Sequence, residues 1–302
     1  MPFSDLTLND GHKIPQIAFG TGSALYEKDA ADAVEQALNN GFDHIDTAQV
    51  YHNEESVGAA LRDSGVSRSE VFITTKYGGG NIREELEKSL TKLGVTYVDL
   101  YLIHFPASVE KDFAGSWEEF EKIKKDGLAK SIGVSNFTVD HLKKILETAN
   151  IVPAVNQIRY NPYNHAEHAS LLRFAAEKGI IIEAYGSLAP ITKKPGGPVD
   201  VPVAQAAARL GATPAQVIFS WVKAKGAVIV TTTSKKERLQ EYLGVGDLPP
   251  LTQEEIEAID AAGLVPWHNK TVNLCGLDVP RSVLLTVILF LFVIASSRLR
   301  CY

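Results

Sequence analysis

Cysteine is nearly absent from this chain: of 302 residues only Cys275 and Cys301 carry a thiol, and both lie near the C-terminal end. The first 263 residues therefore contain no disulfide framework and no thiolate metal site, which fits a reducing compartment. An excess of basic charge is missing as well. The net charge of -6 argues against nucleic acid or an anionic membrane surface as the principal partner. The opening MPFSDLTLNDGHKIP has no basic segment leading into an apolar core, so it reads as no secretory signal, and a cytoplasmic location is expected. The glycine-rich phosphate turn of an open, doubly wound sheet is also lacking, because Gly20-x-Gly22 has no third glycine and leads into no phosphate-binding helix pattern. Long apolar runs are confined to residues 283–295. As a helix that run spans about 20 Å, short of the ~30 Å hydrocarbon core, and Arg281, Arg298 and Arg300 bound it. Positive charge gathers at its outer end, against the tendency for a tail anchor. Membrane contact by this tail stays open beside a segment docked on apolar surface or a tail from misread coding sequence.

What is present is an ordinary globular composition, 45% apolar and 22% charged, with a repetitive order of elements. LTLNDGHKIPQIAFG reads as a hairpin turning at Asp10-Gly11. Short apolar strands then alternate with amphipathic helices: QIAFG, HID, FITTK, DLYLIH, KSIGV, AVNQI, IIIEAY and AVIVT are the strands. Helices are expected from Asp29 to Leu38, over ESVGAALRDSG, NIREELEKSLTKLG, SWEEFEKIKKDG, VDHLKKILETA, AEHASLLRFAAEKG, AQVIFSWVKAKG and SKKERLQEYLG, and from Thr252 to about Ala262. This order and size predict an α/β fold, a (β/α)8 TIM barrel with an N-terminal β-hairpin. No linker precedes residue 263, so the expectation is one barrel domain over 1–263 and an atypical tail over 264–302.

Asp46, Tyr51, Lys76 and His104 all fall at or just beyond the C-terminal ends of predicted strands, which in a parallel barrel meet at one mouth. Their chemistry suits proton transfer to a carbonyl. A phenol with a pKa of about 10 is a poor donor at neutral pH, and an adjacent ammonium is expected to lower it. Lys76 supplies that ammonium and Asp46 holds it charged, while His104 donates a hydrogen bond to the carbonyl oxygen. Each residue alone has a plainer reading as a cap, a packing group or a solvated end; their convergence is what favours catalysis. His165 and His168 share a helical face but lack a third ligand, so no metal is expected.

Asp46-Thr-Ala-x-x-Tyr51-x-Asn-Glu, Lys76, Leu102-Ile103-His104 and Ile132-Gly133-Val134-Ser135-Asn136-Phe137 resemble the aldo-keto reductase superfamily from about residue 5 to 263. GTGSALY, VTTTSKKERL and AYGSLAP are most similar to fungal reductases of α-ketoamides and conjugated polyketones. The resemblance implies an NADPH-dependent oxidoreductase reducing aldehydes and ketones, a monomer or weak dimer acting on small carbonyl compounds. It makes Tyr51 the general acid, Lys76 and Asp46 its tuning pair, and His104 the group orienting the carbonyl. It also implies that Ser135, Asn136 and Gln157 bind the nicotinamide carboxamide and that Tyr185 stacks on the ring, with Ser187 and Leu188 following in the same loop. Ser234, Lys235 and Arg238 would meet the 2′-phosphate and Glu241 the adenine. Thr232 stands where many relatives carry a lysine. Ala24, Tyr26, Phe105 and Trp117 are the candidate pocket walls. A nicotinamide-sensing regulatory or binding subunit on the same barrel is the alternative.

Overall fold

The computed structural model describes residues 3–266, together with the antiparallel backbone pairing of β11 (Thr271–Leu274) and β12 (Leu277–Pro280). The apolar run 283–295, Cys275 and Cys301 lie outside the described residues. Two short strands, β1 (Leu6–Thr7) and β2 (Lys13–Ile14), pair antiparallel across a turn in which Gly11 has φ 88°. That positive φ is why a glycine follows Asp10.

Parallel strands and helices then alternate. β3 (Ile17–Gly20) precedes α1 (Ala31–Asn39), β4 (His44–Asp46) precedes α2 (Glu54–Asp63), and β5 (Phe72–Tyr77) precedes α3 (Ile82–Leu93). β6 (Val98–Ile103) leads to α4 (Phe113–Lys125), β7 (Ala129–Ser135) to α5 (Val139–Leu146), and β8 (Val155–Arg159) to α6 (Ala169–Lys178). After β9 (Ile181–Tyr185) come α7 (Ala189–Thr192), α8 (Asp200–Leu210) and α9 (Pro214–Ala224). β10 (Val228–Thr231) is followed by α10 (Lys236–Leu243) and α11 (Gln253–Leu264). The strands β3 to β10 close into a barrel, with β10 hydrogen-bonded to both β3 and β9. The expected (β/α)8 architecture is therefore the observed one.

Strands of such a barrel are covered on both faces, and so they read as nearly continuous apolar runs. β6 is the plainest case: Leu100 and Leu102 point inward, where Leu8 and Ile14 of the hairpin segment plug the lower barrel, while Tyr101 and Ile103 pack against the helices. The helices follow local rules equally closely. In α3 the Asn81 side chain accepts from the Glu84 N–H, Leu86, Leu90 and Leu93 are buried, and Gly94 at φ 68° ends the helix. Such a cap is worth about 1 kcal/mol.

α8 has no counterpart among the expected helices. Pro202 obscures it, yet a proline in the first helical turn sacrifices no intrahelical hydrogen bond, and Val203, Ala206 and Ala207 supply a buried face.

Candidate active site

The strand ends deliver the polar residues to one mouth. Asp46 closes β4, Lys76 is the next-to-last residue of β5, and His104 follows β6 directly. Tyr51 ends a single 3-10 turn beyond β4, over Gln49–Tyr51. Asn53 secures that turn: its Nδ2 donates to the carbonyls of Thr21 and Leu25, both at 2.9 Å, and its side chain is buried.

Lys76 Nζ is fully buried and donates to Asp46 Oδ1 at 2.6 Å, to the Thr47 carbonyl at 2.9 Å and to Tyr51 Oη at 3.4 Å. All three ammonium protons are thereby assigned. Burial works against the charge on Lys76, but Asp46 and the Tyr51 and Glu183 oxygens reverse that, and its pKa is raised. The phenol of Tyr51 behaves differently from the sequence expectation. Lys76 does pull its pKa down, but burial is the larger effect and Asp46 adds to it, so the net direction is upward. Tyr51 is therefore a protonated phenol at neutral pH in the free protein, a state suited to giving a proton. His104 stands beside it, with ring centroids 5.5 Å apart and nearly perpendicular planes. Burial, with Lys76 adding to it, pushes the imidazole down to about 3, so it is neutral.

A cavity of about 490 Å³ opens above this cluster. Ser135, Asn136, Gln157, Tyr185, Ser187, Leu188, Arg238 and Phe105 line it, together with Asp46, Tyr51 and His104. Asn136 sits at φ 63°, in the left-handed region, where its short polar side chain is tolerated. Its Nδ2 donates to the His104 carbonyl and to Ser135 Oγ, both at 3.0 Å, and its Oδ1 accepts from Tyr185 Oη at 2.8 Å. The Tyr185 hydroxyl is thus fixed while its ring borders the cavity. Ser187 is buried, with Oγ donating to the Ala184 carbonyl.

Other expected residues lie elsewhere. Trp117 is buried on α4, stacks on Phe120 and donates to the Ile151 carbonyl, so it packs a helix against the barrel and is no pocket wall. Ala24 is exposed and outside the cavity lining; Tyr26 is 44% exposed and meets Tyr51 edge-on at 6.4 Å from outside that lining. Phe105 does border the mouth, stacked on His104 at 4.1 Å. Ser234 and Lys235 are exposed at the start of α10 and do not line the cavity. Glu241 accepts from Thr213 Oγ1 at the N-terminus of α9 instead of facing the mouth.

The mouth also contains two cations that motif reading passed over, Arg159 and Lys193, beside Gly22, Ser23, Gly186 and Thr232 from the motifs already noted. Strand alternation would have found Arg159, which shares a face with Gln157 two residues earlier. Arg159, Lys193 and Arg238 give the cavity three cations, whereas its one acidic residue, Asp46, is already paired with Lys76. The Thr232 hydroxyl and His104 Nδ1 are buried without a hydrogen-bond partner among the described residues. A cationic mouth with unspent polar atoms fits a multiply anionic, polar ligand such as a dinucleotide. A smaller cleft of about 270 Å³ under the hairpin, lined among others by Asp43, Asp99 and Lys130, contains none of these groups.

Residues 16–196 and 198–263 match the model of the Aldo/keto reductase family. The NAD/NADP-dependent indole-3-acetaldehyde reductase of Schizosaccharomyces pombe is 40% identical over 273 residues, covering 86% of this chain and 95% of that protein. The NADPH-dependent alpha-keto amide reductase of Saccharomyces cerevisiae is 36% identical over 283 residues, with 85% and 90% covered. Among solved structures, a Bombyx mori aldo-keto reductase in complex with NADP superposes with a TM-score of 0.77 at 31% identity, covering 86% of this chain and 92% of that one.

Proposed function

This chain belongs to the aldo/keto reductase family, and on that premise we propose that it is an NADP(H)-dependent reductase in which Tyr51 delivers the proton to small aldehyde and ketone substrates. The observation that carries this reading is the single ammonium of Lys76, held within hydrogen-bond reach of Asp46 and Tyr51 Oη at once.

Gln157, Ser135, Asn136, Tyr185, Ser187 and Leu188 form the wall suited to the nicotinamide end of NADP(H), and Arg238, with Ser234 and Lys235 beside it, suits the 2′-phosphate. When bound, NADPH supplies the hydride. The protein's own part is acid catalysis. Tyr51 Oη gives its proton to the carbonyl oxygen, and the Lys76 ammonium stabilises the phenolate left behind. Asp46 keeps Lys76 charged and aimed. His104, neutral because burial depresses its basicity, holds the carbonyl oxygen as a hydrogen-bond donor without competing to protonate it.

The catalytic unit in this reading is residues 1–263, and the family match over 16–196 and 198–263 supports it. No helix among the described residues is long and apolar enough to cross a membrane. The absence of cysteine from 1–263 supports a cytoplasmic setting.

Tyr51→Phe tests the reading. It is expected to abolish NADPH-dependent reduction while leaving NADPH binding, followed by fluorescence titration, nearly intact. An active Tyr51→Phe protein would sink it. A screen of NADPH oxidation across α-ketoamides, α-diketones, β-keto esters, aldoses and aromatic aldehydes then defines the substrate class, with activity on aldehydes and α-ketoamides expected.

A further inference from the structure

One buried carboxylate in the barrel interior has no part in the chemistry above. Glu183 lies on β9 directly beside Gln157 of β8 in the strand register, and it is fully buried. It does not line the cavity; Gln157 does. Gln157 Nε2 donates to two carboxylates at once, Asp46 Oδ2 at 2.8 Å and Glu183 Oε2 at 2.7 Å. Both protons of the amide are thus committed inward. Gln157 Oε1 makes no hydrogen bond within the described protein.

We infer that Glu183 is a positioning residue: with Asp46 it locks the Gln157 amide so that Oε1 faces the cavity as a fixed acceptor for a ligand carboxamide N–H. A primary amide is nearly symmetric in shape, and only its partners decide which end is nitrogen. Were this amide reversed, Oε1 would stand against Asp46 Oδ2, an acceptor-only oxygen in its ionised state, with no proton between them. A single carboxylate would disfavour that reversal but still let the side chain pivot about one hydrogen bond. The second carboxylate removes the pivot. Two neighbouring oxygens of the wall are already partly engaged, since Asn136 Oδ1 accepts from Tyr185 and Ser135 Oγ accepts from Asn136.

The electrostatics agree with this geometry. Two carboxylates share one amide at the buried floor of the cavity, beside the ammonium of Lys76. Burial, with the neighbouring Asp46 charge adding to it, pushes Glu183 up to about 8. Burial pushes the adjacent His44 down to about 4. With its pKa raised, Glu183 keeps its proton at neutral pH and still accepts from Gln157 through its carbonyl oxygen.

The inference rests on the reading that a nicotinamide carboxamide meets Gln157, and the test separates the two. Binding of NADP⁺ and of its 3-acetylpyridine analogue, which has a methyl group where the carboxamide has its NH2, is measured by calorimetry without turnover. The unmodified protein is expected to bind the analogue about tenfold or more weakly, the cost of leaving Oε1 unpaired. Glu183→Leu is expected to reduce that discrimination to within about threefold, and Glu183→Gln, which keeps an acceptor, to restore it. Equal discrimination in the unmodified protein and Glu183→Leu overturns the role of Glu183 and leaves the function intact. No discrimination in any of them overturns the placement of the carboxamide on Gln157, and this inference with it. A measurement on the unaltered, ligand-free protein stands independently of how the variants fold. Both side-chain amide protons of Gln157, identified by their loss in Gln157→Leu, are expected to exchange slowly with solvent; exchange of either at the rate of an exposed amide overturns the lock.

Discussion

Gly22 stands against the ring of Tyr51 so closely that a Cβ there would lie 2.9 Å from Cζ and 3.2 Å from Oη. Nothing about the backbone of Gly22 demands glycine, since its φ is not in the left-handed range. The demand is space for the phenol that Lys76 holds. Gly22→Ala is therefore expected to push Tyr51 Oη away from Lys76 and lower kcat by roughly 10- to 100-fold, the scale of a misplacement near 1 Å. The ring borders an open cavity, so the fold should survive. Circular dichroism and steady-state kinetics on the variant check this, and parent-like kcat would refute it.

Lys76 and Asp46 form a pair with almost no exposure, at 0% and 2% of their side-chain surface. Removing one partner strands the other's charge. Lys76→Met is expected to cost about 3–5 kcal/mol in urea unfolding, besides abolishing reduction. Adding Asp46→Asn to Lys76→Met should recover much of the stability and none of the activity. Simple additivity of the two losses would mean that the pair is not energetically coupled.

The parts of this molecule that sequence makes legible are those governed by local rules. Strands buried on both faces, the helix that starts at Thr252, and the polar residues at strand ends all declare themselves. The direction of the Tyr51 shift does not, because it is set by how much protein encloses the phenol, and sequence does not report that. Trp117 misleads for a similar reason: an aromatic near the motif can face a helix interface as easily as a mouth. Glu183 is silent in sequence. The glutamate of IIIEAYG belongs to no motif, and only strand closure places it inside a barrel beside Gln157. Long-range packing, not pattern, creates its environment.

Arg238 is the member of the expected phosphate segment that borders the cavity. Its charge acts on the neighbouring Tyr242 phenol and opposes the burial that raises that group's pKa. A guanidinium fork matches a phosphate monoester in charge and shape. Arg238→Ala is expected to weaken NADPH binding tenfold or more while changing NADH binding less than about threefold. Fluorescence titration with both cofactors measures the difference, and equal losses would place Arg238 away from the 2′-phosphate.

The protonation of Glu183 sets a pH dependence of stability whose sign can be worked out. Its carboxyl lies at 4.5 ordinarily and is raised to about 8 in the fold, chiefly by burial and then by Asp46. Between those two values the unfolded chain has lost this proton while the folded protein keeps it. The contribution is therefore fully present below pH 4.5 and declines as pH rises toward 8, beyond which it is gone. Glu183→Gln keeps the shape and the acceptor for Gln157 but has no proton to lose. His44 and His104, depressed to about 4 and about 3, work in the opposite direction at acid pH, where the unfolded chain takes up protons first, but they are shared by both proteins. The difference in melting temperature, Glu183→Gln minus parent, should therefore grow in favour of the variant from pH 5 to 8 and level off above 9. A difference that stays constant across this range would mean that Glu183 is ionised throughout, and that the barrel interior tolerates two negative carboxylates around one ammonium.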